Sequence, residues 1–213
     1  MKIAIIGATG MAGSALYKES TLRGHDVTGI VRNKEKAISL LGNDAKLMVK
    51  DVFELTKYEL EGFDVIVNAF ATLPSKAYLH LDLAAKLIGF FRETESPRLF
   101  FVLGAGSLLD DKGKLFLDTL KNIPDAASWI SIPVEAYKTL NFLRSIENVN
   151  WVGVSPSVNF ITGEATAPQL GTDRLLTSQN GESVVTSGTM AVAILNEIEK
   201  PQFIRTRFTV CNQ

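Results

Sequence analysis

Short apolar runs alternate with longer amphipathic segments along most of the chain. The runs Lys2–Ile6, Val27–Val31, Lys46–Val49, Val65–Asn68, Leu99–Leu103 and Trp151–Val154 are nearly continuous in apolar residues, and a last run covers Phe203–Val210. Apolarity without alternation is what a strand buried on both faces of a parallel sheet requires. Between the runs, Met11–Arg23, Lys34–Leu41, Ser75–Glu93, Val134–Ser145 and Thr189–Glu199 read as helices. Alternation of this kind predicts right-handed βαβ units: an α/β fold with a doubly wound parallel sheet and helices on both faces. One segment, Ser155–Gly188, breaks the rhythm and is rich in Gly, Thr and Ser. Within it, Leu175–Thr177, the turn Ser178-Gln179-Asn180-Gly181 and Ser183–Val185 predict a small hairpin, because Asn-Gly supplies positive φ in a tight turn. An insertion after the sixth strand lies at the carboxyl ends of the strands, where open α/β sheets bind ligands. Residues 155–188 are therefore expected to form a small substrate lobe on a single domain covering 1–213.

Chemistry enters at the first strand. Ile3-Ala4-Ile5-Ile6-Gly7-Ala8-Thr9-Gly10-Met11-Ala12-Gly13 is a strand, a Gly-x-x-Gly-x-x-Gly turn and a helix start. Gly7 lets the chain leave the strand tightly. Gly10 removes a Cβ where backbone must approach a diphosphate, and Gly13 lets the helix sit against the sheet. The helix amides then face the anion with the positive end of the dipole. A glycine triplet alone is weak evidence, but its placement between an N-terminal strand and an amphipathic helix is the context of a Rossmann-type dinucleotide site. A Walker-type phosphate loop fails, since no Gly-Lys-Ser or Gly-Lys-Thr follows. At the end of the second strand, an acidic residue would hold the free 2′-hydroxyl of NAD. The chain instead reads Val31-Arg32-Asn33-Lys34. A guanidinium at Arg32 suits a 2′-phosphate through forked, charge-assisted hydrogen bonds, so NADP(H) is favoured over NAD(H). A solvated arginine at a strand end is the alternative.

Composition narrows the field. The chain of 213 residues is 46% hydrophobic and 21% charged, which excludes a disordered or low-complexity protein. Twenty-two basic residues against 23 acidic ones leave a net charge of −1 and no basic excess for nucleic acid. A single cysteine, Cys211, excludes an intramolecular disulfide, and two distant histidines suggest no metal site. The apolar opening is too short for a signal-peptide core, and Leu99–Leu109 is too short for a bilayer, so a soluble cytoplasmic protein with no membrane partner is expected. No Gly-x-Ser-x-Gly elbow is present.

The region 155–194 carries Ser155-Pro156-Ser157, Phe160, Gly163-Glu164, Thr166, Leu170-Gly171-Thr172-Asp173, Leu175-Leu176, Gly181, Ser183 and Met190-Ala191-Val192-Ala193. With the glycine turn and Val-Arg-Asn, this pattern resembles the atypical short-chain dehydrogenases of the NADH-flavin reductase group, relatives of NmrA-like proteins and biliverdin reductase B. The resemblance covers nearly the whole chain. It implies a Rossmann fold, a bound nicotinamide dinucleotide and oxidoreductase activity on a small-molecule acceptor; a flavin would enter as substrate rather than as bound cofactor. Carried over by position, it implies that Gly7, Thr9, Gly10 and Met11 meet the diphosphate, Arg32 the ribose end, and Asp51 and Val52 the adenine edge. Asn68, Ala69 and Phe70 would line the cofactor ribose, and Ser155 and Pro156 would present backbone to the nicotinamide amide. From sequence, Asp51 is equally a helix cap.

Two further residues are candidates for the substrate pocket. Ser107 lies near where related enzymes carry a Ser or Thr facing the nicotinamide, and an ordinary loop serine is the alternative. Phe160 offers an apolar wall or a core aromatic. His25 is expected at the surface, and His80 as a packing or solvent-facing residue. No catalytic residue is assigned. Short-chain dehydrogenases place Tyr and Lys four apart on a helix, whereas here Tyr137 is followed four residues on by Asn141, with Lys138 only one residue away. That leaves three readings: hydride transfer to a planar acceptor, carbonyl reduction with a hidden acid, and an NADP(H)-occupied sensor without turnover.

Overall fold

The computed structural model describes residues 1–213. Ten strands form: β1 Lys2–Ile6, β2 Asp26–Val31, β3 Leu47–Val49, β4 Val65–Asn68, β5 Thr94–Val102, β6 Val149–Pro156, β7 Asn159–Ile161, β8 Pro168–Gly171, β9 Val184–Thr186 and β10 Thr206–Asn212. Seven α-helices join them: α1 Met11–Leu22, α2 Lys34–Leu41, α3 Lys57–Leu60, α4 Leu79–Phe90, α5 Phe116–Leu120, α6 Ser131–Arg144 and α7 Ser187–Glu199. Eight strands make one sheet in the order β3-β2-β1-β4-β5-β6-β10-β8. All neighbours are parallel except β8, which runs antiparallel to β10 at the edge. No helix is long and apolar enough to cross a membrane.

The unbroken apolarity of the central strands has its cause in this layering. Ile3 and Ile5 point to one face, where Leu16 and Tyr17 of α1 and Met190, Ile194 and Ile198 of α7 cover them. Ala4 and Ile6 point to the other, against Leu83 and Leu87 of α4 and Leu140 and Leu143 of α6. With a core on each side, neither parity of the strand can be polar. The strand order reverses direction at β1 and β4. The loops after these two strands therefore diverge, opening the crevice where ligands bind in such sheets.

Several boundaries differ from the sequence expectation. The segment expected as one helix over Ser75–Glu93 is a 3-10 turn at Pro74–Lys76 followed by α4; Glu93, at φ 60, turns the chain into β5. The helix α6 starts at Ser131, earlier than expected, with Pro133 in its first turn, where no intrahelical N–H donor is needed. The last strand begins at Thr206, because the Phe203 carbonyl is taken by Arg98 and Arg205 adopts φ 48. The expected hairpin over Leu175–Val185 does not form. Its tip does: Ser178 N–H donates to Glu182 O at 2.8 Å, with Gly181 at φ 78. Its arms part, however. Leu175 N–H bonds Leu109 O at 2.9 Å, and β9 pairs in parallel with β7. The intervening segment contributes β8 to the main sheet.

Candidate functional site

The turn between β1 and α1 is pressed tightly against its surroundings. Gly7 has φ +78, and a Cβ there would lie 2.5 Å from the Ala69 carbonyl oxygen. A Cβ on Gly13 would lie 2.2 Å from Gly7 O, so the helix packs on the turn at glycine distance. Gly10 is the N-cap of α1 in extended conformation, with no side-chain cap and no acidic residue in the first turn. The opening amides of α1 thus keep their donors and the positive end of the dipole for an outside anion. A bare backbone cradle with uncapped amides fits a diphosphate.

A cleft runs along the carboxyl ends of the strands and is divided at Gly10, which lines both halves. The halves are about 320 and 350 Å³, each within the size range of ligand pockets. The half on the β2 side contains Gly7, Thr9, Arg32, Asp51, Val52, Ala69 and Phe70, together with Lys36 from α2 and Lys76 from the turn before α4. Arg32 is exposed and has no carboxylate within 4.0 Å. Asp51 both lines this half and caps the following 3-10 turn, accepting from Phe53 N–H at 2.9 Å. Its carboxylate is therefore partly committed to local structure.

The second half contrasts in charge. Met11, Asn68, Phe70, His80, Pro133, Ala136, Thr139 and Phe160 line it with Phe101, Leu103 and Gly104, and no Lys, Arg, Asp or Glu takes part. The Asn68 carboxamide accepts from Phe70 N–H at 3.1 Å and fixes the chain between the two halves. Phe70 meets Phe53 edge-on at 5.9 Å and His80 at 5.4 Å. Phe160 serves as wall and core residue together, since it also packs on the cluster beneath α1 and α7. His80 is more involved than expected: it lines the cleft, and its Nε2 is buried without a partner. Burial holds its imidazole below the usual histidine value, while Glu135 pulls in the opposite direction. His25 stands elsewhere, paired with Glu199 at 2.9 Å.

Ser107, Ser155 and Pro156 line neither half. Both serines are buried and turned toward Arg207 of β10, whose Nη1 donates to Ser107 Oγ at 3.0 Å and Ser155 Oγ at 2.9 Å. Ser107 Oγ also donates to Gly104 O at 3.2 Å. Pro156 ends β6, opposite Val210. Asp173 holds Arg207 from outside and also pairs with Arg144 at 2.9 Å. Burial pushes the Arg207 guanidinium down from the usual arginine value, and Asp173 opposes this. Lys36, Lys76 and His80, which line the cleft, went unmarked as site residues in the sequence, and so did the role of Arg207 in turning the two serines away from it. Only Lys36, one turn into α2 from Arg32, carried a signal that could have been read.

Fold and cleft together define a nucleotide-binding domain of the doubly wound kind. The family model described as NAD(P)H-binding matches residues 7–201, and the chain belongs to that family. The Bacillus subtilis (strain 168) protein YwnB is 35% identical over 216 residues, covering 100% of this chain and 99% of its own. A solved Lactobacillus casei protein is 38% identical with a TM-score of 0.92, over 100% of this chain and 99% of its own. A Streptococcus pneumoniae TIGR4 structure described as a "putative NADH-flavin reductase" is 33% identical with a TM-score of 0.88, over the full length of both chains. The resemblance to atypical short-chain dehydrogenases of the NmrA-like kind holds.

Proposed function

We propose that the protein is an NADPH-dependent oxidoreductase that delivers hydride to a planar acceptor such as a flavin. The observation carrying this reading is the division of charge along one cleft. Three cations and one carboxylate line one half, and the other half is uncharged. The first suits a phosphorylated adenosine; the second suits a nicotinamide ring and an acceptor above it. The similarity to the pneumococcal protein supports a flavin or a related ring as that acceptor. When bound, the dinucleotide supplies the hydride. The chain binds it at the amides of α1, orients the ring against Phe70 and Phe160, and excludes water with the apolar wall. Steady-state NADPH oxidation with and without riboflavin, FMN or quinones tests the reading. Absence of turnover with every acceptor would leave a sensor in its place.

Cofactor preference follows from Arg32. Loss of a charged, hydrogen-bonded contact costs about 1.5–3 kcal/mol, so Arg32→Ala should weaken NADPH by roughly ten- to over a hundredfold. NADH should change little. Calorimetric titration of both cofactors checks this, and equal losses for the two would remove the 2′-phosphate assignment.

Carbonyl reduction is disfavoured on α6. The helix presents Ile132, Pro133, Ala136 and Thr139 to the cleft, while Tyr137 is not part of the lining. Asn141, four residues on, has no charge with which to lower a phenol's pKa. Tyr137→Phe should therefore keep most of the NADPH-dependent turnover. A loss of about a hundredfold with NADPH affinity intact would return carbonyl reduction to first place.

A further inference from the structure

Beside the uncharged half of the cleft lies a second, more open hollow, outside both halves. Ile132 and Pro133, at the start of α6, line both spaces, and Gly104 of the cleft is followed directly by Ala105 and Gly106 of the hollow. Its other walls are Phe116 and Leu120 of α5, Trp129 and Val158. No ionisable side chain lines it. Every Lys, Arg, Asp or Glu that lines the cleft lies on the far side of Gly10, at the β2 end. An ionised group moved against such walls loses its hydration and gains no counter-charge, whereas an apolar group gains by leaving water.

We propose that the acceptor is an uncharged planar ring, of the quinone or unphosphorylated isoalloxazine class, whose apolar substituent lies in the hollow walled by Trp129, Leu120 and Val158. This deepens the reductase reading and rests on it for turnover, though not for binding. His80 lines the wall beside Phe70 with its ring packed edge-on at 5.4 Å and its Nε2 closed to solvent, so the wall offers the acceptor an apolar surface and no charge. For a quinone, the reduced nicotinamide gives a hydride, one proton with two electrons, as its C4–H bond breaks, and water gives the second proton, leaving hydroquinone, NADP+ and hydroxide. An acidic substituent, whether phosphate, sulfonate or carboxylate, is selected against at the hollow.

Binding is measured in the NADP+ complex, where no turnover interferes. Trp129 reports from the hollow by fluorescence quenching, and Trp151, the other tryptophan, is fully buried in the core. The probes are 2-methyl-1,4-naphthoquinone and 1,4-naphthoquinone-2-sulfonate. The neutral probe should bind at least about 30-fold more tightly, and Val158→Asp should weaken it about tenfold or more with NADP+ affinity unchanged. Val158 is 38% exposed, so this variant is expected to fold; Leu120→Asn repeats the test from the opposite wall. Equal affinity of the two probes, or binding indifferent to both variants, overturns the proposal. Selective binding of the neutral probe without NADPH oxidation sustains the acceptor site and rejects the reductase reading instead.

Discussion

A Gly10→Val protein that is folded yet binds neither NADPH nor NADH is the expected result of substituting the glycine that lines both halves of the cleft. Gly10 sits at φ −84 and ψ 173, a backbone conformation open to any L-residue. The nearest atom to a Cβ placed there is Gly7 O at 3.3 Å, so the fold can take the side chain with a small adjustment. The added methyls would project into the space before the uncapped amides of α1, where the proposed reading puts the diphosphate. The neighbouring glycines make poor probes for the opposite reason. Side chains at Gly7 or Gly13 would meet backbone at 2.5 and 2.2 Å, and loss of binding there would report loss of the turn itself. Circular dichroism melting establishes the fold of the Gly10→Val protein, and calorimetry its affinity. A drop of at least about a hundredfold is expected for both cofactors, since the obstruction does not depend on the 2′-phosphate. A well-folded variant with unchanged affinity would place the dinucleotide elsewhere.

The sheet and its glycine turn are the legible part of this sequence, for a physical reason. Strands such as β1 and β4 have cores on both faces, so their apolar runs stand out against the helices, and the glycine turn is dictated by contacts local to it. What remained hidden depends on distance. The strands β7 and β9 are three residues each and pair in parallel across more than twenty residues, so the Asn180-Gly181 turn pointed to a local partner that β9 does not have. The edge strand β8, Pro168-Gln169-Leu170-Gly171, has no alternation to announce it. Lys76 and His80 reach the cleft only through the packing of α4 and the turn before it. Ser107 and Ser155 turn inward because Arg207, far along the chain, donates to both. Asp51, for which two roles were open, caps its turn while lining the cleft.

The largest loss of stability is expected from a buried ion pair away from the cleft. Glu197, near the end of α7, is 4% exposed, and Arg98, on β5, is 8% exposed. The carboxylate accepts from Arg98 Nη2 and, at 3.0 Å, from the amides of both Gln202 and Phe203. Arg98 in turn donates to Glu197 O at 2.8 Å and Phe203 O at 2.6 Å, and its guanidinium lies 4.9 Å from the centre of the Phe100 ring. The pair thus closes α7 onto β5 and sets the chain's entry into β10. Glu197→Ala removes the counter-charge and leaves two backbone amides without an acceptor. Stranding one member of such a pair costs about 3–5 kcal/mol, a large fraction of the stability of an ordinary domain. Denaturant titration should show this loss, while NADPH affinity of the protein that remains folded should be unchanged, because neither residue lines the cleft. Adding Arg98→Met to Glu197→Ala should recover part of the loss by removing the stranded charge, though the freed amides keep their penalty. A cost below about 1 kcal/mol for Glu197→Ala, or a double variant weaker by the full sum of the singles, would mean that water reaches Arg98 and that the pair does not hold this corner closed.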